Sequence, residues 1–163
     1  MNYSKVITTA LVSTTLWSCS SSTNQENTDS STTTSPDESE VSSVVVTQVI
    51  EQGEAVYGQY CVACHQTDGN GMSGAFPPLT QTKWVEGDKA ELIGIVLNGM
   101  QGPITVKGEE YNNVMAAHDF LSDEDIAAVL TYVRQSFGNN ASEVTVAEVA
   151  EARSSAKSGE TSN

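Results

Sequence analysis

Cys61-Val62-Ala63-Cys64-His65 places two thiols and an imidazole within five consecutive residues. Two cysteines separated by two residues and followed at once by histidine form the attachment pattern of a c-type haem. Thiols one helical turn apart can each add to one vinyl group of the porphyrin, and the adjacent imidazole then lies under the iron. Cys61 and Cys64 are therefore the candidates for covalent attachment of one haem c, and His65 is the candidate proximal iron ligand. CxxC pairs also occur in redox dithiols and zinc sites. A zinc ion takes four ligands, and the chain offers as cysteines and histidines only Cys19, Cys61, Cys64, His65 and His118. Cys64 and His65, as immediate neighbours, fit poorly around one tetrahedral ion. A redox dithiol sits near a βαβ pattern, which this sequence lacks.

Outward from this stretch the pattern is helical and punctuated. Val49, Ile50, Val56, Tyr57 and Tyr60 form a partial apolar face, predicting a helix from about Gln48 into Cys61. Gly69-Asn70-Gly71, Gly74 and Phe76-Pro77-Pro78-Leu79 read as a loop. Asp88 with Glu91 three residues on marks a helix start; Leu92, Ile93, Ile95, Val96 and Leu97 follow, and Asn98-Gly99 ends it. Ile104-Thr105-Val106 is a short extended piece before a Lys107-Gly108 turn. Ser122 caps a last strong helix, with Asp123, Glu124 and Asp125 at its positive end. Ile126, Val129, Leu130 and Val133 are its buried stripe, and Gly138 is a stop. Residues 144–156 carry a weaker helical pattern that could dock on the domain or remain free.

The chain has 163 residues, of which 38% are hydrophobic and 6% aromatic. That is thin for a core drawn from the whole length, so part of the chain is expected to lie outside the fold. A covalently held haem would add a large apolar body to a small core. The net charge of -14 excludes nucleic acid as a partner, since no basic stripe is present to neutralise phosphates.

Residues 1–18 read as an export signal: Lys5 supplies the positive end, and the apolar run after it is too short and polar to span a bilayer. Leu16-Trp17-Ser18-Cys19 is similar to a bacterial lipobox, with Trp17 bulkier than that position usually holds. Cys19 is accordingly the candidate lipidation site; the alternative is an ordinary cleaved signal with Cys19 incidental. More than one acyl chain on Cys19 would anchor the protein stably. Residues 19–47 are rich in Ser and Thr and read as a disordered tether. Its coil dimension is about 30 Å and its stretched reach about 90 Å. The expected organisation is a signal at 1–18, a tether at 19–47, a folded domain at 48–138 and a polar tail with a possible short helix at 139–163.

Over about half its length the chain resembles bacterial class I cytochrome c domains. The matching residues run in order: Gly53-x-x-x-Tyr57-x-x-x-Cys61-x-x-Cys64-His65, Asp68-Gly69-x-Gly71, Phe76-Pro77-Pro78-Leu79, Gly99, Gly102, Gly108-x-x-Tyr111, Met115, Leu121-Ser122-Asp123-Glu124-x-Ile126 and Val129-Leu130-Thr131-Tyr132-Val133-Arg134. The resemblance implies an all-α fold, a small helical domain wrapped around one covalent haem. It implies that the first and last helices cross near Gly53, where Tyr57 meets Val129 and Tyr132. It also implies that a carbonyl of the proline segment, Pro77 or Pro78, accepts the hydrogen bond of His65.

For the sixth iron position the candidates are Met72, Met100, Met115, His118 or none. Met72 follows His65 by only seven residues, too few to pass around the porphyrin edge. The resemblance assigns the role to Met115, on the loop before the closing helix, with Ala116 where the family often has proline. Thioether favours ferrous iron and raises the potential. The expected function is electron transfer on the periplasmic side of a bacterial membrane, with the protein anchored through lipid on Cys19. Expected partners are redox proteins: a quinoprotein or other dehydrogenase, a quinol-oxidising complex, or a terminal oxidase or reductase. A dedicated haem subunit of one dehydrogenase or oxidase complex is the alternative. A haem sensor or peroxidase-like protein would require an open iron.

Overall fold

The computed structural model describes residues 38–160, with side chains from 45 to 155; Cys19, the export signal and most of the tether lie outside the described residues. The expected all-α architecture is found, with one small hairpin added. Helix α1 (Glu38–Tyr60) runs into the one-turn α2 (Val62–His65). A long loop leads to α3 (Lys83–Glu86) and α4 (Lys89–Asn98). A hairpin, β1 (Ile104–Val106) and β2 (Glu109–Tyr111), precedes α5 (Asp123–Gln135) and α6 (Val146–Glu160).

The helix starts follow the capping chemistry. Asp88 accepts from the Glu91 amide at 2.9 Å, and Ser122 accepts from the Asp125 amide at 3.1 Å. A third cap, Thr82 accepting from the Val85 amide, starts α3. In the hairpin, Lys107 and Gly108 both have positive φ, 51° and 84°, which matches the twist of a two-residue turn.

Three boundaries differ from the sequence reading. Residues 38–47, read as tether, belong to α1, and Val44-Val45-Val46 are helical. Once the packed turns of α1 exist, each added residue gains a hydrogen bond without a new nucleus. Val45 and Val46 stay exposed there. α5 stops at Gln135 rather than near Gly138, because Phe137 adopts φ 57° and turns back onto Tyr57 and Tyr132. Packing also continues past residue 138, where Val144 and Val149 are buried.

α1 and α5 cross at Gly53. A Cβ on Gly53 would lie 2.2 Å from the Ala128 carbonyl oxygen and 2.6 Å from the Tyr132 Cβ, so only glycine lets the backbones meet. Around this crossing Val56, Tyr57, Ile126, Val129, Leu130 and Val133 join Leu92, Ile93 and Leu97 of α4 in one core. Val149 of α6 closes it from the other side with no exposed surface.

Candidate haem site

The CVACH stretch continues the line of α1 through one tight turn. The His65 amide donates to the Cys61 carbonyl at 2.9 Å and the Gln66 amide to the Val62 carbonyl at 2.9 Å. Cys61 and Cys64 therefore lie one turn apart, both half-buried and unlinked. Burial, with a smaller contribution from Cys64, pushes the Cys61 thiol up to about 11. A redox dithiol needs the opposite shift. Among the described residues, no group of three or more His, Cys, Asp and Glu could hold a metal ion.

Gln66 leaves the turn at φ 64° and ψ 164°, a conformation that is costly for any residue but glycine. The buried Tyr57 hydroxyl holds it there, donating to the Gln66 carbonyl at 2.6 Å. Burial pushes the Tyr57 hydroxyl well above the ordinary phenol range, so it remains a donor. Its ring packs against Tyr132 at 5.6 Å and Phe137 at 5.2 Å.

The loop after His65 folds back on it. The Gly71 amide donates to the His65 carbonyl at 3.0 Å, and the Leu79 amide to the Gly69 carbonyl at 2.7 Å. This brings the Pro77 carbonyl to 3.0 Å from His65 Nδ1, so of the two prolines it is Pro77 that engages the imidazole. With Nδ1–H donated to Pro77, Nε2 keeps its lone pair for a ligand. Burial holds the His65 imidazole below its ordinary pKa; the Pro77 bond opposes this and His118 adds to it. That shift favours the neutral ring, the form metal binding requires.

His65 faces an apolar cleft that opens to solvent. Val85, Leu92, Val96, Leu130 and Val133 wall its deep lobe; Tyr60, Cys64, Phe76, Tyr111 and Val114 line its outer lobe. Cys61, His65, Pro77, Met100, Ile104, Met115 and His118 border both lobes. Met72 borders neither and is 49% exposed. Met115 is held by its backbone: it exchanges two hydrogen bonds of 3.0 Å with Met100, and the His118 amide donates to Val96 at 2.9 Å.

The donors on this cleft suit a haem. Two thiols stand beside an oriented imidazole and a thioether, and the walls are apolar enough for a porphyrin face. Trp84 lines the deep lobe, and its indole N–H is buried without an acceptor. A buried orphan donor is costly, and haem propionates are acceptors of the kind it lacks. His118 Nδ1 is likewise buried and unpartnered, with its ring against Tyr60 and Phe120.

Sequence reasoning did not single out Trp84, Phe137, Asn139 or Arg153, and met Arg134 only as the last residue of a motif. Asn139 ties the proline loop to α5: its amide donates to the Leu79 and Val133 carbonyls, and its oxygen accepts from the Gln81 amide. Arg134 is buried and donates to the Val85, Gly87 and Ser142 carbonyls. None of these lies on a hydrophobic period or in a short motif with a known mechanism, which is why pattern reading passed over their roles.

A small helical domain presenting a CxxCH turn to an apolar cleft defines a single-haem protein with covalent attachment. The cytochrome c family model matches residues 50–137, and the chain belongs to the cytochrome c family. It is an electron-transfer haem protein with one covalently bound haem c. It is 44% identical over 91 residues to cytochrome c-552 of Thermus thermophilus, covering 53% of this chain and 69% of that protein. It is 36% identical over 110 residues to the gluconate 2-dehydrogenase cytochrome c subunit of Pantoea cypripedii, covering 63% of this chain but 24% of that one. Over 90 residues it is 33% identical to the cytochrome c subunit of the quinone alcohol dehydrogenase of Gluconobacter oxydans, covering 55% of this chain and 19% of that subunit. No helix among the described residues is long and apolar enough to cross a membrane.

Proposed function

We propose that this cytochrome is a lipid-anchored electron carrier on the periplasmic side of a bacterial membrane, with haem attached through Cys61 and Cys64 and iron held by His65 and Met115. Bound haem supplies a one-electron exchange between ferrous and ferric iron. The observation that carries the reading is the pairing of a Pro77-oriented imidazole and a backbone-clamped Met115 on one apolar cleft. The protein's own work is positioning. Tyr57 and Pro77 hold the CVACH turn and its imidazole, the Met100–Met115 bridge presents the thioether, and the apolar walls exclude water. With His65 and Met115 both holding the iron, no position would be left for oxygen or peroxide, which favours a carrier over a sensor or peroxidase-like protein.

The tether in this reading runs from Cys19 to the start of α1 at Glu38. It lets the domain sweep the surface around its anchor and reach a redox protein such as a dehydrogenase, a quinol-oxidising complex or a terminal oxidase or reductase. The similarity to named cytochrome c subunits of gluconate and alcohol dehydrogenases favours one second reading, a dedicated haem subunit of a single complex.

Two variants of the haem-loaded full chain test the proposal. The parent should show the weak long-wavelength sulfur–iron band when oxidised, and Met115→Ala should lose it, fall in potential and bind carbon monoxide when reduced. An unchanged spectrum would exclude Met115 as ligand. Cys19→Ala should move the protein from membrane to soluble fraction; continued membrane association would count against the lipid anchor.

A further inference from the structure

The segment after residue 137 lies beyond the part of the chain that matches the family, yet up to Arg153 it is stitched to the domain at several points. Thr131 Oγ1 donates to the Val144 carbonyl at 3.2 Å and accepts from the Val144 amide at 2.9 Å. Lys89 Nζ donates to the Glu143 carbonyl and pairs with Glu148. Midway along α6, Arg153 reaches back across the loop that follows Met115. Its Nη1 donates to the Asp119 carbonyl at 2.7 Å, its Nη2 to the Leu121 carbonyl at 2.9 Å and its Nε to Asp123 Oδ1 at 2.8 Å.

Besides the ring contacts of His118 and Phe120 with Tyr60 and the burial of Leu121 in the core, that loop has few other supports. Its first residue, Met115, is bridged to Met100, and His118 donates to Val96. Leu121 donates to His118 within the loop itself. Residue 116 is alanine, so no ring restrains the backbone where the chain leaves the bridge. Arg153 is the group that fixes the loop's last carbonyls to the domain, through two charge-assisted bonds and an ion pair on the first residue of α5.

We propose that α6 is a strap and Arg153 a positioning residue for Met115: by holding the Asp119 and Leu121 carbonyls it keeps the 115–121 loop closed and the thioether in place. The inference rests on the reading of Met115 as the sixth ligand. When the loop opens, the sulfur leaves and an outside ligand can take its place. The apparent affinity for such a ligand measures the open fraction directly.

The experiment titrates imidazole into the oxidised, haem-loaded full chain and follows the sulfur–iron band. Arg153→Ala should bind imidazole about tenfold more tightly than the parent, the weight of roughly one charge-assisted hydrogen bond. Arg153→Lys, which keeps the charge and stem but cannot span both carbonyls, should fall between, and it decides the matter if Arg153→Ala does not fold. Adding Ala116→Pro to Arg153→Ala should return the affinity toward that of the parent. Met115 sits in an extended bridge, as a residue before proline should. Parent-like imidazole affinity in Arg153→Ala, or in Arg153→Lys where the alanine variant is unfolded, would overturn the strap while leaving Met115 as ligand. A parent that lacks the sulfur–iron band would overturn both.

Discussion

Gly99 and Gln66 are opposite solutions to one backbone problem. Gly99 ends α4 at φ 73° and ψ -174°, a region close to exclusive to glycine. A Cβ there would stand 2.5 Å from the Met115 carbonyl oxygen and 2.9 Å from the Ala117 amide nitrogen. Both neighbours are backbone and cannot swing aside. Gly99→Ala is therefore expected to cost about 2–4 kcal/mol, the conformational strain plus displacement of the Met115 loop. Denaturant unfolding and the sulfur–iron band should both register it, and a variant unchanged in both would mean the loop passes Gly99 less closely. Gln66 occupies similar φ and ψ without being glycine. The Tyr57 hydroxyl on its carbonyl holds the strain next to His65. The motif letters around His65 announced the imidazole and the thiols. They held no sign of this strain, because φ and ψ follow from how the loop closes.

At the scale of elements, α6 is the part whose role depends on pH. The Glu148 carboxylate lies 2.5 Å from Lys89 Nζ and accepts from the Thr145 amide at 2.8 Å. The Lys89 bond first and the Thr145 amide second hold the Glu148 carboxyl down to about 2, against an ordinary 4.5. A carboxyl depressed in the folded state stabilises it fully above its unfolded pKa, and that stabilisation disappears as pH falls through the folded value. The side chain is one-third exposed, so solvent screening keeps the contribution small. The stability difference between the parent and Glu148→Gln should be constant above about pH 5.5 and shrink toward zero as pH falls from about 4.5 to about 2. A difference that is flat across that range would show that Glu148 carries no weight in docking α6. The helix itself was visible in the sequence as a weak apolar pattern over 144–156. Its docking was not, because besides the buried Val149 the groups that hold it and the residues leading into it (Lys89, Thr131, Arg134 and Arg153) are polar and belong to several separate segments.

At the scale of the whole molecule, charge sets how the protein meets others. Residues 49–138 hold 12 acids against four bases, a net of -8. Tyr60 and Val114 line the outer lobe of the cleft and are exposed, and the exposed Phe120 ring lies 5.4 Å from that of Tyr60. An apolar mouth on an acidic body suits brief docking with a basic partner, steered by long-range attraction. Electron exchange with a basic redox protein should slow several-fold as ionic strength rises from about 0.01 to 0.3 M, as the screening length falls from about 30 Å toward 6 Å. Exchange with an acidic partner should speed up. A rate with the basic partner that ignores salt would mean the acids only solvate the surface.

The haem, its attachment turn and the helical class were determined by sequence alone, because their chemistry is local. A vinyl-spanning pair of thiols must lie one turn apart, the imidazole must be adjacent, and helix starts at Asp88 and Ser122 are written in three or four neighbouring residues. Which groups meet across the cleft was decided only in the folded chain. Pro77 rather than Pro78 on His65, Trp84 with its unpaired donor, Asn139 joining the proline loop to α5 and Arg153 on the Met115 loop each join segments well separated along the chain. Such contacts leave no period and no spacing, since they depend on how loops of irregular backbone close over the core. Met115 stands between the two cases. Its place in the order of motifs made it a candidate, and the bridge to Met100 with the close pass over Gly99 brings it to the cleft that His65 lines.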